Sequence, residues 1–465
     1  MPLSEKREGN GSGTLKGIAI IGGGLAGSEA AWQAAERGLS VILHEMRPQT
    51  MTPAHKTGLL AELVCSNSFK SNLLHDASGL LKEELRSLGF LVVATADENS
   101  LPAGSALAVD RTLFASSLTR KVEGHPRIHV LRGEIETLPL DRPLIIATGS
   151  LTSDKLSDDL QRLFHDYLTL KRDHLPLAIN HKLLYFYDAI APIVSSGSIN
   201  KERAFQASRY EKGGPDYLNF PLNGEDYLAF WKALLEAEQY PLHSFEDLRY
   251  FEACLPIEEL ARRGRDALRF GPMRPVGLID LRTGLRPYAV LQLRQENREA
   301  TMYNLVGFQT RLRWAEQRRV FRMVPGMEEA EFLRYGSMHR NTFVSAPLLL
   351  KETFQFRGTP LVLFAGQITG AEGYNEAAAL VYLAGVNAFR LATGKEPLVP
   401  PPTTALGSLG RYLASADPRT FQPMNFNFGL LPPLEGRVKE RKERHVLSGD
   451  RALKDLEGWK EKTHF

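Results

Sequence analysis

The pattern of apolar and polar positions near the start of the chain predicts a strand, a turn, a helix and a second strand. An apolar run covers residues 17–21, an alanine-rich stretch with helical spacing continues to residue 37, and another apolar run covers 40–44. The sequence GGGLAG separates the first strand from the helix, and Glu45 ends the second strand. This order is typical of a βαβ unit that binds a dinucleotide.

Each glycine of this turn has its own physical role in such a unit. Gly22 allows the tight turn, Gly24 lets the backbone approach a pyrophosphate, and Gly27 lets the helix pack closely against the strand. Unpaired N–H groups at the helix start favour the pyrophosphate, and Glu45 is placed to accept hydrogen bonds from the adenosine ribose. A glycine-rich β-turn is the alternative, but the strand, helix and acidic residue in register favour a dinucleotide site. The predicted contacts are Gly22, Gly23, Gly24, Leu25, Ala26, Gly27 and Glu45.

A similar strand–loop–helix pattern returns far along the chain. Residues 361–366 form a buried-strand pattern that ends at a glycine, a loop follows to residue 373, and an alanine-rich helix is predicted over 375–391. In a flavoprotein such a helix start faces the flavin phosphate and the ribityl chain; a loop that caps an ordinary helix is the alternative. No second complete GxGxxG follows a strand, which argues against separate FAD and NAD domains. The predicted contacts are Gly366, Gln367, Gly373 and Tyr374.

The pattern between these two units is mixed. Helices are predicted over 78–88, 224–239 and 257–263, and strands over 128–131, 144–147, 289–293 and 303–308. We therefore predict an α/β fold, in which a Rossmann-like FAD-binding domain of the glutathione-reductase type is interrupted by an inserted α+β domain. The predicted division is a disordered leader (1–16), the first part of the FAD-binding domain (17–165), the insertion (166–344), and the second part with a C-terminal tail (345–465). Within the tail, the mixed charges at 435–444 predict a solvated helix face.

Composition narrows the class of protein. The 465 residues are 43% hydrophobic and 24% charged, as in a globular protein of two or three domains. No apolar run approaches the roughly 18 residues that cross a bilayer, and the polar first 16 residues do not resemble a secretory signal. Two cysteines are too few for a disulfide framework or a cysteine-based zinc site. We expect a cytoplasmic protein with no metal, no membrane contact and no stable protein partner.

The net charge of +3 conceals a strongly basic region. Residues 261–322 contain 14 arginines, no lysines and five acidic residues. Arginine suits bidentate contacts with phosphate or carboxylate groups, so this region could attract a polyanion. The alternative is a solvated face whose arginines pair with acidic neighbours elsewhere in the fold.

The two cysteines lie in polar surroundings. Cys254 precedes LPIEE, where proline favours a helix start, and a helix N-terminus with nearby arginines would lower the thiol pKa. Cys65 lies in the polar segment ELVCSNS. An isolated cysteine is often a buried, inert residue, and this remains the alternative for both.

Long motifs give the chain a clear resemblance. GGGLAGSEAAW, AELVCSNS, SRYEKGGPDYLNFP, FEACLPIEELARRG, RMVPGMEEAEFLRYGSMHRNTF and FAGQITGAEGY are the most specific of them, and the match runs from about residue 17 to about residue 432. The chain resembles the bacterial folate- and FAD-dependent tRNA (uracil-5-)-methyltransferase family. It departs from the family pattern at Gly58, Ser105 and Ala377, which affects local loop geometry and leaves both thiols and the phosphate-binding glycines in place.

The resemblance implies an enzyme activity. 5,10-Methylenetetrahydrofolate donates a carbon to C5 of a uridine in the tRNA T-loop, and reduced FAD supplies a hydride, with NAD(P)H as the reductant. The products are 5-methyluridine and tetrahydrofolate. Cys254 corresponds to the thiolate that adds to uracil C6. Cys65 corresponds to an assisting thiol, either the base that removes the C5 proton or a group that protects a flavin–methylene adduct.

The resemblance also implies binding residues. His339 and Arg340 would position the folate pterin, and Tyr374 would flank the isoalloxazine. The alternatives are a neutral surface histidine at 339 and an aromatic residue that only caps a helix at 374. Arg262, Arg263 and Arg265 would follow the tRNA phosphates, with the folate glutamate tail as a second anion for the arginine region.

Two other functions stay open at this stage. The first is that of the sister flavoproteins that modify the anticodon wobble uridine; these carry a long C-terminal helical extension that we do not expect here. The second is a flavin-bearing RNA-binding or RNA-folding protein that needs neither thiol.

Overall fold

A computed structural model describes residues 17–170, 184–212, 214–240, 255–419, 421–436 and 438–463, without the side chains of 184–189 and 338–341. The predicted leader and Cys254 lie outside the described residues.

The described strands include one at each predicted apolar run and several that no apolar run predicted. They are β1 (Gly17–Ile21), β2 (Ser40–Glu45), β3 (Ser68–Ser71), β4 (Ser100–Leu101), β5 (Ala106–Val109), β6 (Ile128–Arg132), β7 (Leu144–Ile146), β8 (Leu184–Ile190), β9 (Ile193–Ser195), β10 (Phe205–Gln206), β11 (Tyr217–Leu222), β12 (Ala289–Gln295), β13 (Met302–Leu305), β14 (Phe332–Arg334), β15 (Ser337–Phe343) and β16 (Val362–Phe364).

The described helices include all those that the periodicity predicts. They are α1 (Leu25–Glu36), α2 (Ala77–Ser87), α3 (Leu91–Glu98), α4 (Arg111–Glu123), α5 (Asp154–Leu170), α6 (Gly224–Glu236), α7 (Ile257–Arg262), α8 (Ala267–Phe270), α9 (Trp314–Phe321), α10 (Ala346–Leu349), α11 (Tyr374–Ala392), α12 (Ala405–Ser415) and α13 (Arg441–Thr463).

A parallel five-stranded sheet forms the centre of the nucleotide-binding region. Its strand order is β16-β7-β1-β2-β6, so a strand from late in the chain completes a sheet that begins at residue 17. The strands are apolar nearly throughout because helices cover such sheets. Helices α1 and α11 pack against each other; a methyl group on Gly385 of α11 would lie 3.2 Å from the Ala30 carbonyl oxygen of α1. The predicted α/β fold is confirmed.

A second sheet lies within the middle of the chain. Its six strands have the order β10-β11-β12-β13-β9-β14 and pair antiparallel, and α6, α7 and α9 pack with it around an apolar cluster of residues drawn from 194–330. A two-stranded sheet pairs β8 with β15. The other large apolar cluster draws on residues 18–168 and 343–459. The exact domain boundaries stay a prediction.

The C-terminal tail differs from the prediction. The predicted solvated helix over 435–444 is wrong in its first half, because the helix begins only at Arg441 and Gly436 has a left-handed φ of 85°. The helix is also amphipathic, since Ala452, Leu456 and Trp459 are buried. The apolar residues of this helix are widely spaced among charged ones, so the sequence pattern did not reveal its buried face. Among the described residues, no helix is long and apolar enough to span a bilayer.

Candidate cofactor and substrate site

The glycine turn after β1 has the geometry that the sequence predicts. Gly22 has a φ of 102° and donates its N–H to the His44 carbonyl oxygen at 2.8 Å. A Cβ on Gly27 would overlap the Gly22 carbonyl oxygen, so only glycine permits this contact. A Cβ on Gly24 would meet nothing within 4 Å. The open space beside Gly24, at the N-terminus of α1, is therefore available to a pyrophosphate.

Glu45 lies at the end of β2 and is bound by protein groups on both oxygens. The Gly23 N–H donates to Oε2 at 2.8 Å, and the Arg47 guanidinium donates to Oε1 at 2.8 Å and to Oε2 at 3.1 Å. Burial alone would raise the pKa of Glu45, but hydrogen bonds and charge from Arg47 lower it overall. Glu45 is thus an oriented carboxylate beside the glycine turn, and its contact with a ribose stays a prediction. Sequence reasoning missed Arg47.

A pocket opens at the carboxyl ends of β1, β2 and β7, where open α/β sheets bind their ligands. His55 lines it and contacts the Thr52 hydroxyl, with 2.6 Å between Nδ1 and Oγ1. Burial and the positive charge of Arg47 lower the pKa of His55 to about 4, so its imidazole is neutral at pH 7. The pocket lining includes Gly22, Gly24, Glu45, Arg47, His55, Thr148, Leu151 and Ser153.

The second glycine loop lies directly against the first. Gly366 has a φ of 81°, and a Cβ there would lie 2.5 Å from the Ala26 Cβ of α1. The loop starts as a 3₁₀ turn (Gly366–Thr369) and ends at Gly373, whose φ is 108° and which caps α11. Gln367 donates to the Glu372 carboxylate at 3.2 Å. The structure therefore brings both predicted sets of glycines to one place, as a single extended dinucleotide would require.

Polar groups at the start of α11 support a ligand at this loop. Lys70 donates to Asn425 Oδ1 at 2.7 Å and lies 3.4 Å from Glu376 Oε1. Among the described residues, the buried oxygens Asn375 Oδ1 and Glu376 Oε2 have no hydrogen-bond partner. Buried oxygens without partners are costly, so polar hydrogens of a bound molecule would stabilise them. The open cradle at Gly24 and these oxygens fit FAD.

Cys65 lies beside Tyr374, which directly follows the second glycine loop and is 309 residues away in sequence. Its backbone N–H donates to the Tyr374 hydroxyl at 3.1 Å. The Tyr374 ring packs against Phe69, with 5.5 Å between the ring centroids, and burial raises the pKa of the phenol. Cys65 is partly exposed and lies in a loop, not in the apolar core. The structure thus places one predicted thiol next to one predicted flavin-contact residue.

Three arginines that the sequence analysis did not single out surround the Cys65 loop, which comprises residues 63–67. Arg111 donates to the Cys65 carbonyl oxygen at 3.3 Å and pairs with Glu296. Arg334 and Arg294 bind other atoms of the same loop. These arginines are spaced far apart along the chain, so no local pattern could have identified them.

The structure describes the other predicted site residues only in part. His339 and Arg340 lie on β15, where their backbones pair with Asp188 and Tyr187 of β8; their side chains are outside the described set. The helix predicted after Cys254 is present as α7, which starts at Ile257. The roles of all three residues stay predictions.

The arginine region is only partly a free basic surface. Arg262, Arg263 and Arg265 are exposed, and in the described part of the chain Arg262 and Arg265 make no ion pair or side-chain hydrogen bond. Other arginines of the region pair with acidic residues of the protein, as the alternative interpretation expects, and the contact of the exposed arginines with a polyanion stays a prediction. The internal pairs include Arg269–Asp266, Arg282–Asp280, Arg311–Glu259 and Arg319–Glu316.

The fold and the paired glycine loops define a flavoprotein of the dinucleotide-binding class. The sequence model of the family described as "Glucose inhibited division protein A" matches residues 17–396. GidA of Aquifex aeolicus has a similar fold, with a TM-score of 0.66, 16% identity, and coverage of 95% of this chain and 73% of that chain.

Sequence relatives define the family more narrowly. Methylenetetrahydrofolate–tRNA-(uracil-5-)-methyltransferase TrmFO of Pelotomaculum thermopropionicum is 54% identical over 448 residues, covering 96% of this chain and 99% of the relative. The enzymes of the same name from Geobacter sulfurreducens and Thermosynechococcus vestitus are 55% and 56% identical to this chain. The matches cover 98% and 94% of the lengths of these two enzymes. The chain belongs to the methylenetetrahydrofolate–tRNA-(uracil-5-)-methyltransferase family.

Proposed function

We propose that this protein forms 5-methyluridine in the T-loop of tRNA. It is a folate- and FAD-dependent tRNA (uracil-5-)-methyltransferase that takes its carbon from 5,10-methylenetetrahydrofolate and its electrons from NAD(P)H. The structural observation that carries this proposal is the meeting of Cys65, Tyr374 and the two glycine loops in one site. A thiol beside a flavin-binding loop supports the proposal, because it could act on a uracil held next to the hydride donor.

The glycine loops of this chain would hold the cofactor. The α1 N-terminus beside Gly24 would bind the pyrophosphate, Glu45 the ribose, and the α11 start at Gly373 and Tyr374 the flavin end. FAD bound there and reduced by NAD(P)H would supply the hydride that completes the methyl group. Burial by the surrounding protein would keep water away from the reacting carbon.

The thiols would act on the uracil. Uracil C5 is a poor nucleophile until a thiolate adds at C6 and leaves an enolate, and Cys254 is our candidate for that thiolate. In the sequence it lies three residues before the start of α7 at Ile257. Cys65, held against Tyr374, is the candidate for the assisting thiol. These roles are proposals.

The residues that would bind the folate and the tRNA are assigned from the chemistry of their side chains. We propose that His339 and Arg340 position the folate pterin and that the exposed Arg262, Arg263 and Arg265 bind tRNA phosphates. The cytoplasmic location and the expected lack of a stable protein partner stay predictions.

One experiment tests the function. Purified protein, tRNA that lacks T-loop methylation, 5,10-methylenetetrahydrofolate and NADPH are incubated together, and 5-methyluridine is measured after nuclease digestion. We expect the wild type to form it and Cys254→Ala to form none. Normal methylation by Cys254→Ala would refute the thiol mechanism. A wild type that binds FAD yet forms no 5-methyluridine would refute the proposed reaction, and wobble-uridine products would then be sought.

A further inference from the structure

Three guanidinium groups from different elements converge on the Cys65 loop. Arg111 is the first residue of α4, Arg294 lies on β12, and Arg334 ends β14. Each donates to uncharged oxygens of the loop, so the loop is bound from three sides. Their acceptors are the carbonyl oxygens of Leu63 and Cys65 for Arg111, that of Val64 for Arg334, and Ser66 Oγ with Asn67 Oδ1 for Arg294.

The charges of this cluster do not balance. Glu296, which is 2% exposed, pairs with Arg111 through both oxygens, at 3.0 Å and 3.2 Å. Among the described residues no carboxylate pairs with Arg294 or Arg334. Partly or fully buried cations normally have an anionic partner, because burial disfavours an isolated charge. Two positive charges beside Cys65 therefore lack a counter-ion within the described structure.

Arg334 is the member of the cluster with donors to spare. Arg294 is 7% exposed and uses Nε and Nη2 on Asn67 and Ser66, at 2.8 Å each. Arg334 is half-buried, and within the described part of the chain its single side-chain hydrogen bond runs from Nη2 to the Val64 carbonyl oxygen at 2.6 Å. Burial, followed by the positive charge of Arg111, lowers the pKa of Arg334. An added anion would offset both effects.

The neighbours of Arg334 place this spare charge at the proposed reaction site. Arg334 donates to the carbonyl oxygen of Val64, the residue before Cys65, and Arg111 donates to the carbonyl oxygen of Cys65 itself. Tyr374 also accepts the hydrogen bond from the Cys65 backbone. An anion at Arg334 would thus lie close to the thiol and to the flavin-binding loop.

We propose that Arg334 binds an anionic oxygen of a substrate. The inference rests on the proposed function and adds a residue to it. Two sources offer this chemistry: the glutamate carboxylate of the folate, and the uracil oxygen that becomes negative when a thiolate adds at C6. A fork of N–H donors suits either oxygen, and in a site of low polarity it would stabilise the charged form strongly.

The test uses Arg334→Met and Arg334→Lys in the FAD-bound enzyme. Dissociation constants for tetrahydrofolate and for tetrahydropteroate, which lacks the glutamate, are measured by equilibrium dialysis, together with kcat and KM for methyl transfer. If the folate carboxylate is the anion, Arg334→Met raises the dissociation constant of tetrahydrofolate at least tenfold and leaves that of tetrahydropteroate unchanged. If the uracil oxygen is the anion, kcat falls roughly 100-fold and neither dissociation constant changes. Either result supports the proposal, and Arg334→Lys should restore part of the loss.

Controls separate this role from a structural one. Arg419→Met removes an exposed arginine that pairs with Asp417, and its kinetic and binding constants should match those of the wild type. Melting temperature and FAD content are measured for every variant. Loss of FAD from Arg334→Met would assign the arginine to the cofactor and overturn the proposal. So would kinetic and binding constants within twofold of the wild type, or an Arg334→Lys variant as impaired as Arg334→Met. A wild type without methylation activity would refute the proposed function, whereas these outcomes concern Arg334 alone.

Discussion

At the scale of single residues, two glycines of the same turn are needed for different reasons, one for packing within the protein and one for a ligand. Gly27 is needed by the protein itself, because its Cα lies against the Gly22 carbonyl oxygen. Gly24 meets no protein atom that would exclude a side chain. Its φ of −71° is also ordinary for any residue. A ligand is therefore the reason that we assign to the glycine at position 24, and close packing is the reason at position 27.

This difference predicts opposite results for two matched substitutions. Gly27→Ala should lower the free energy of unfolding by about 1–3 kcal/mol even without FAD, because the new methyl group forces the helix away from the strand. Gly24→Ala should leave the apoprotein as stable as the wild type. It should weaken the binding of FAD about tenfold or more, since the methyl group takes the space of the pyrophosphate. Urea unfolding of the apoproteins and fluorescence titration with FAD measure the two effects. A destabilised Gly24→Ala apoprotein, or one with unchanged FAD affinity, would contradict this explanation.

At the scale of elements, buried carboxylates connect helices that are far apart in sequence. Glu84 of α2 accepts the N–H groups of Ala405 and Leu406 at 2.6 Å and 2.9 Å, and so caps the N-terminus of α12. Glu29 of α1 caps α3 in the same way through Leu91 and Val92. Both side chains are fully buried, and burial raises their pKa values, to about 8 for Glu84 and about 7 for Glu29. The Glu84 contact joins an early and a late part of the chain, and the Glu29 contact joins two helices of the early part.

Neighbouring glutamates on α2 provide a test of this capping. Glu84→Ala should lower the free energy of unfolding by about 2–4 kcal/mol, because it leaves two buried N–H groups of α12 unpaired and opens a cavity. Glu83→Ala removes only an exposed pair with Arg86 and should cost less than about 1 kcal/mol. Chemical denaturation at pH 7 followed by circular dichroism gives both values. Equal losses in the two variants would show that Glu84 does not stabilise α12.

At the scale of the whole molecule, local patterns predicted more than long-range contacts. The βαβ unit and the second glycine loop could be read from the sequence because glycine sterics and helix periodicity act within a few residues. The meeting of Cys65 with Tyr374 could not, since it joins positions 309 residues apart through the complete fold. Arg334 and Glu296 were missed for the same reason. The apolar stripe of α13 was missed because charged residues dominate that segment.

The arginine region also acts, in our proposal, at the scale of the whole molecule, because it would determine how tRNA approaches. Unpaired arginines can neutralise phosphates. An arginine bound to a carboxylate attracts phosphates only weakly, because the two charges of the pair largely cancel. The double variant Arg262→Ala/Arg265→Ala should therefore weaken tRNA binding about tenfold or more near 0.1 M salt. It should also reduce the slope of log affinity against log salt by about 1–2, since each lost phosphate contact removes roughly 0.7–0.9.

The matched control is Arg282→Ala, because Arg282 is held by Asp280 at 2.7 Å and its loss removes half of an internal pair. Filter binding of unmodified tRNA between 50 and 200 mM salt measures all three proteins, and FAD content and melting temperature confirm that they remain folded. We expect the Arg282→Ala slope to equal that of the wild type. If the double variant keeps the wild-type slope, the phosphates contact another surface, and the exposed arginines ahead of α8 are only a solvated face.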